Sequence, residues 1–330
     1  ESLFSSIGLF IEERHAIALL GFFLVSFSIL LALTDFSVVK DGAYEYVVEA
    51  LNIARGDFAP LDFHANGWSW FLAPFIFLFG SSGFSQANLV AKLVADLVLA
   101  MSVIPFFYIA KSLLQGKSRV AALVLFVTFP PVLKWAGVPN PENLLMLFTL
   151  CILYFMVRST SDAKYILAAA AFGGLSYLTR QNGLITLPIL LVFFAVAFFR
   201  KMPKNQYFAY MALIAAVFLL VASPFLWQRY AEYGSPFSFN QVDNIFAEKE
   251  QWYDLAAPGH YPSFLEFLTT HSIKATYDRF IAEGLFRSVF YTFHQISVVA
   301  ILGLFFLAGL AARGLELRFL PFTLIIAATI

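Results

Sequence analysis

Apolar residues in this chain fall into long unbroken runs, and the polar positions collect between them. The runs lie at about 15–34, 87–110, 119–135, 142–158, 164–179, 183–199, 208–227, 288–312 and 319–330. All but the last approach or reach the ~20 residues a helix needs to cross a bilayer core. The pattern predicts an all-α polytopic membrane protein of about nine transmembrane helices, with its backbone polar groups satisfied inside the helices.

The stretch "GWSWFLAPFIFLFG", Gly67 to Gly80, fits less simply. If it crosses, the basic residues of later loops alternate between the two sides. If it lies in the interface, Lys111/Lys117/Arg119, Arg158/Lys164, Arg200/Lys201/Lys204 and Arg313/Arg318 all share one side. The positive-inside rule selects the second arrangement, and the short length with paired Trp68 and Trp70 suits an interfacial helix. The N-terminus is then cytoplasmic. Two large loops, about 35–86 and 228–287, open on the other face, together with residues 136–141 and the turn at Arg180.

Composition agrees with this class. Hydrophobic residues make up 60% of the 330 and charged residues 13%, which no soluble domain of ordinary composition matches. Net charge is zero, so the chain carries no nucleic-acid footprint. The single cysteine, Cys151, excludes an internal disulfide and reads as a small buried hydrophobe. No repeat or linker divides the chain, so residues 1–330 read as one membrane domain. The last apolar segment stops at Ile330, and the chain reads as a fragment truncated at its C-terminus.

Several polar residues stand out against this background. In "VVKDGAYEYVVEALNIARGDF" the spacing predicts a juxtamembrane amphipathic helix with Tyr44, Val47, Val48 and Leu51 on its apolar face and Glu45, Glu49 and Asn52 on its wet face, stopped at Gly56. Asp41 precedes the first turn, where it serves as a helix N-cap or as a free carboxylate. Glu142 opens the span after "GVPNP", at a helix start that favours an acid. Arg180 stands with Gln181, Asn182 and Gly183 in a tight outer turn, as a loop-end cation or a ligand contact. Lys92 and Asp96 lie one turn apart within a span, as a self-neutralising pair, with Lys92 nearer the outer face and within reach of a ligand. The scattered histidines read as structural, and no metal-ligand, Walker or nucleophile-elbow motif is present.

The order of motifs resembles a family. An Asp after the first span, the helix that follows it, "H…GW…F" ending in "FG", "GVPNPENLLMLF", "LSYLTRQNGLITLP" and "SPFLWQRYAEYGSPF" together resemble the C-type glycosyltransferases that use lipid-phosphate sugars. Within these, the chain resembles the protein O-mannosyltransferase and aminoarabinose transferase family. It departs from the common acidic pair of the first loop, since Gly42 follows Asp41, and it lacks the "WWDYG" of oligosaccharyltransferases.

The resemblance implies transfer of a monosaccharide from a polyprenyl (dolichyl or undecaprenyl) phosphate to an acceptor hydroxyl, with inversion, at the external or luminal face. The acceptor is a protein, lipid or glycan, and no cofactor is required. Asp41 is expected as the general base, with Glu142 orienting the acceptor or the neighbourhood of Asp41. Arg180 and Lys92 are expected to hold the phosphate, which leaves as an anion and needs no acid. His64, Tyr253, His260 and Tyr261 are expected sugar or acceptor contacts. The expected location is the cytoplasmic membrane of a prokaryote. A secondary transporter, which predicts repeats and midplane charges, and a non-catalytic lipid-binding scaffold are the alternatives.

Overall fold

The computed structural model describes residues 13–34, 43–58, 65–114, 117–128, 132–133 and 135–233, with single residues at 269, 272, 274 and 277. Asp41, His64, Tyr253, His260 and Tyr261 lie outside the described residues, as do the predicted spans 288–312 and 319–330. By its contacts the chain divides into two units, residues 1–225 and 226–330, and the fold below is that of the first.

Among the described residues the secondary structure is helical. In chain order the helices are α1 (Glu13–Thr34), α2 (Ala43–Ala54), α3 (Gly67–Phe79), α4 (Phe84–Met101), α5 (Val103–Leu113), α6 (Lys117–Thr128), α7 (Pro141–Ser159), α8 (Tyr165–Thr179), α9 (Thr186–Phe198) and α10 (Lys204–Tyr233). A 3₁₀ turn, Gln181–Ile185, joins α8 to α9. Among the described residues four stretches are long and apolar enough to cross a membrane: Phe84–Leu113, Pro141–Ser159, Gln181–Phe198 and Lys204–Ala231. Leu20–Leu30, Gly67–Phe79, Arg119–Thr128 and Tyr165–Thr179 are shorter apolar helices. Of the predicted run at 119–135, α6 covers the residues up to Thr128, and residues 129–131 and 134 lie outside the described residues.

The amphipathic helix predicted after Asp41 is present as α2, and it ends where Gly56 was expected to stop it. Gly56 has φ 88°, its N–H donates to the Ile53 carbonyl, and the Asp57 N–H reaches back to the Asn52 carbonyl. This Schellman arrangement satisfies carbonyls that the helix end leaves open, and it needs a residue that tolerates positive φ. The helix is rotated from the predicted face. Ala43, Tyr46, Val47, Ala50 and Leu51 are buried, while Tyr44 is 48% exposed and rests on Phe84. Glu49, expected on the wet face, is only 3% exposed. The cause is tertiary: α2 packs against both α3 and α4, so its covered stripe is wider than a helix lying on a flat surface would need.

One core joins α2, α3 and α4 with Leu144 of α7. On α4 the residues facing it include Ala87, Ala91 and Ala95, all fully buried at four-residue spacing, beside Val94 and Val98. Small residues at this spacing let neighbouring backbones approach closely, as in membrane helix pairs generally. The same device recurs on α8. A Cβ at Gly174 would stand 2.7 Å from the Val221 Cβ of α10, and one at Gly173 would stand 3.1 Å from the Phe218 ring. Tyr177, one turn on and fully buried, packs its ring against Phe218 and Phe225.

Helices α7 and α8 form an antiparallel hairpin about the turn at residues 160–164. Its turn end is basic and aromatic, with Arg158 and Lys164 both over the Tyr165 ring. Its open end brings the first residue of α7 beside the last of α8. Most of the unusual polar side chains gather at that end.

Candidate active site

Glu142 enters the site because Pro141 occupies the first position of α7, where its missing N–H costs nothing and its fixed φ suits a helix start. The acid thus sits in the first turn, where the helix dipole favours a negative charge. Arg180 directly follows the last residue of α8, with extended backbone at φ −148° and ψ 140°, and the carbonyl end of a helix favours a cation. The hairpin brings these two ends together. The Arg180 Nη1 donates to Glu142 Oε1 in an ion pair spanning 38 residues of chain. The two side chains are 32% and 22% exposed, so the pair lines an accessible surface.

Sequence reasoning gave these residues separate tasks, and the structure joins them. Glu142 bonds Arg180 directly, and its second oxygen, Oε2, is buried without a partner among the described residues.

Three neighbouring elements close around the pair. On the first, α2, Tyr46 is buried, and the Arg180 guanidinium acts electrostatically on its hydroxyl. Burial raises the Tyr46 pKa to about 12 against the opposing pull of Arg180, with Glu45 and Glu49 raising it further. Tyr46 is therefore a neutral hydroxyl at physiological pH. The second element, α3, is set against α8 at Gly67, where a Cβ would meet the Leu178 carbonyl oxygen at 2.5 Å. Only glycine permits that approach. From there Trp68, fully buried, donates its indole N–H to the Pro139 carbonyl at 2.9 Å. The expectation that both tryptophans anchor in the interface fails for this one, because its N–H partner lies in the protein. Trp70 is 50% exposed and stacks on Phe58.

The third element is the turn at 135–140. Asn143 Nδ2 donates to the Trp135 and Val138 carbonyls, and Gly137 occupies φ 71°, a region only glycine enters freely. The Gly137 N–H donates to Asp96 Oδ1 on α4. Asp96, 2% exposed, therefore fastens α4 to this turn and is more than the partner of Lys92. Lys92, 5% exposed, lies on the buried side of α4 and acts electrostatically on Asp96.

A set of polar atoms at this end is buried with no hydrogen-bond partner among the described residues. It comprises Glu142 Oε2, Asn143 Oδ1, Ser69 Oγ on α3, and both Oε1 and Nε2 of Gln181. An unmet buried polar group costs about 1–3 kcal/mol, so each of these atoms stands out as one whose partner the described residues do not supply. Sequence reasoning noticed Gln181 only as a neighbour of Arg180 and missed Ser69 and Tyr46. The available signal for Tyr46 was its spacing from Ala50 and Ile53, which defines an alternative stripe on α2. Among the described residues no three His, Cys, Asp or Glu side chains converge in a metal-binding group.

Two solved structures resemble the chain. One is the archaeal oligosaccharyltransferase AglB from Archaeoglobus fulgidus in complex with an inhibitory peptide and a dolichol-phosphate, at TM-score 0.49 and 14% identity. That match covers 93% of this chain and 36% of the other. The other is the Archaeoglobus fulgidus oligosaccharyltransferase tethered with an acceptor peptide containing the NVT sequon, at TM-score 0.45 and 13% identity, covering 93% and 37%. The chain thus spans little more than a third of the length of these structures. No curated protein matches it. The family description "Dolichyl-phosphate-mannose-protein mannosyltransferase" matches residues 64–227. The stretch holding α3, the 135–140 turn and the Glu142–Arg180 pair therefore lies inside the part of the chain that is similar to this family.

Proposed function

We propose that this protein is a membrane glycosyltransferase that moves one sugar from a polyprenyl phosphate to an acceptor hydroxyl at the outer end of the α7–α8 hairpin. The observation that carries the reading is the Glu142–Arg180 ion pair, partly exposed, flanked in sequence by Asn143 and Gln181 with their unmet polar atoms, and inside the family-matched region. Arg180 commits Nη1 to Glu142 and has further N–H donors for phosphate oxygens. Glu142 fixes the guanidinium plane, and Lys92 adds a second positive charge from α4.

In the reaction, Asp41 takes the proton from the acceptor hydroxyl, and the acceptor oxygen attacks the anomeric carbon from the side opposite the phosphate. The anomeric C–O bond breaks with its electron pair on the phosphate, and Arg180 holds the resulting anion. The anomeric centre inverts. The neutral Tyr46 hydroxyl contributes a hydrogen bond and does not act as a base, since burial keeps it protonated. Protein, lipid and glycan hydroxyls all satisfy this chemistry. The lipid tail of the donor supplies the reason for a site at the end of membrane helices. A prokaryotic cytoplasmic membrane with the site facing outward completes the reading, in keeping with basic residues at the opposite hairpin end.

The test is transfer of radiolabelled sugar by the purified full-length protein from a panel of polyprenyl-phosphate sugars, run beside Asp41→Asn and Arg180→Ala. Transfer by the wild type with a loss of about a hundredfold or more in each variant supports the assignment. Wild-type transfer that persists in Asp41→Asn removes Asp41 as the base. Transport of a polar solute without transfer favours the transporter reading.

A further inference from the structure

Gln181 is the feature the mechanism leaves unused. Its side-chain amide offers two donors and an acceptor, both polar atoms are buried, and neither has a partner among the described residues. Its backbone is held rigidly. The Arg180 N–H donates to the Ser176 carbonyl at 2.9 Å and the Gly183 N–H donates to the Arg180 carbonyl at 2.8 Å. Gly183 lies so close to Ser176 and Tyr177 that a Cβ would stand 2.4 Å from their backbone. The 3₁₀ turn is therefore clamped onto the end of α8, and Gln181 is fixed immediately after the arginine that faces Glu142.

The chemistry of the amide selects among ligands. A phosphate oxygen only accepts hydrogen bonds, so it would answer Nε2 and leave Oε1 unmet. A sugar hydroxyl both donates and accepts, and answers the two together. The sugar is also the group covalently attached to the phosphate proposed for Arg180, and Gln181 follows Arg180 in the same clamped turn. We infer that Gln181 hydrogen-bonds a hydroxyl of the transferred sugar and sets donor specificity at that hydroxyl. The inference rests on the glycosyltransferase reading.

The experiment measures binding of two probes to the detergent-purified full-length protein: polyprenyl-phosphate mannose and bare polyprenyl phosphate. Wild type, Gln181→Leu and Gln181→Asn are compared, with thermal unfolding of each as a fold control. The expected result is a loss of about tenfold or more in affinity for the sugar-bearing probe in Gln181→Leu, with bare phosphate bound within about twofold of wild type. Gln181→Asn retains the amide on a shorter stem and falls between the two. Equal loss for both probes overturns the inference and makes Gln181 a phosphate or folding residue. Unchanged binding of both, with a raised acceptor KM, also overturns it and assigns the amide to the acceptor. Wild type that binds neither probe overturns the glycosyltransferase reading itself, and the inference with it, whereas wild-type binding with an indifferent Gln181→Leu overturns the inference alone.

Discussion

In the proposed mechanism the Glu142–Arg180 pair organises the phosphate site and contributes little to stability. Ion pairs this exposed contribute about 0–1 kcal/mol, so Glu142→Gln is expected to shift unfolding free energy by no more than about 1 kcal/mol while lowering transfer by about tenfold or more. Thermal unfolding beside a transfer assay separates the two effects. Arg180→Lys is expected to fail as a rescue, because an ammonium cannot hold Glu142 and a phosphate in one plane. Tyr46 gives a prediction with a defined pH window. Its folded pKa, raised by burial to about 12 from the ordinary 10.0, favours the protonated form in the native state. Stability from this group is intact below pH 10.0 and is lost as pH rises through about 12, so Tyr46→Phe is expected to lose less stability than wild type across that window in an alkaline melting series. At this scale the sequence exposed the charges but not their partners. Glu142 and Arg180 were recognisable because each stands at a helix end, yet their contact depends on a hairpin closing across 38 residues, which local spacing does not report.

Close approach between helices rests on a few glycines and alanines. Gly174→Ala forces a Cβ to 2.8 Å from the Phe218 carbonyl oxygen and 2.7 Å from the Val221 Cβ, and is expected to cost about 1–3 kcal/mol in thermal unfolding. Gly21→Ala, on α1 with no neighbour within 4 Å, is expected to be neutral or slightly stabilising and serves as the control. Among the described residues helices were legible where apolar runs were long, and so was the Gly56 stop on α2. The rotation of α2 was not legible, because two helices cover it at once and bury Glu49. Nor was the role of Trp68, whose amphipathic character suited the interface equally well until the Pro139 carbonyl proved to be its partner.

Across the molecule, the arrangement turns on which face each loop occupies. Arg158 and Lys164 stand at the turn end of the α7–α8 hairpin and the Glu142–Arg180 pair at its open end, and under the proposed reading the positive-inside rule assigns the first to the cytoplasm and the second to the exterior. With Cys151 replaced by serine, single cysteines at Asn182 and Lys201 are expected to differ in reactivity toward an impermeant maleimide in intact cells. Asn182→Cys labels from outside, and Lys201→Cys labels only after permeabilisation. Labelling of both from one side contradicts the topology. In the proposed mechanism Glu142 and Arg180 act as one unit, and a double-mutant cycle on kcat/KM for sugar transfer tests this most directly. Glu142→Gln, Arg180→Ala and the double variant are compared with the wild type. If Glu142 works through Arg180, the double variant is no slower than Arg180→Ala alone. Losses that multiply would show two independent groups and contradict the account.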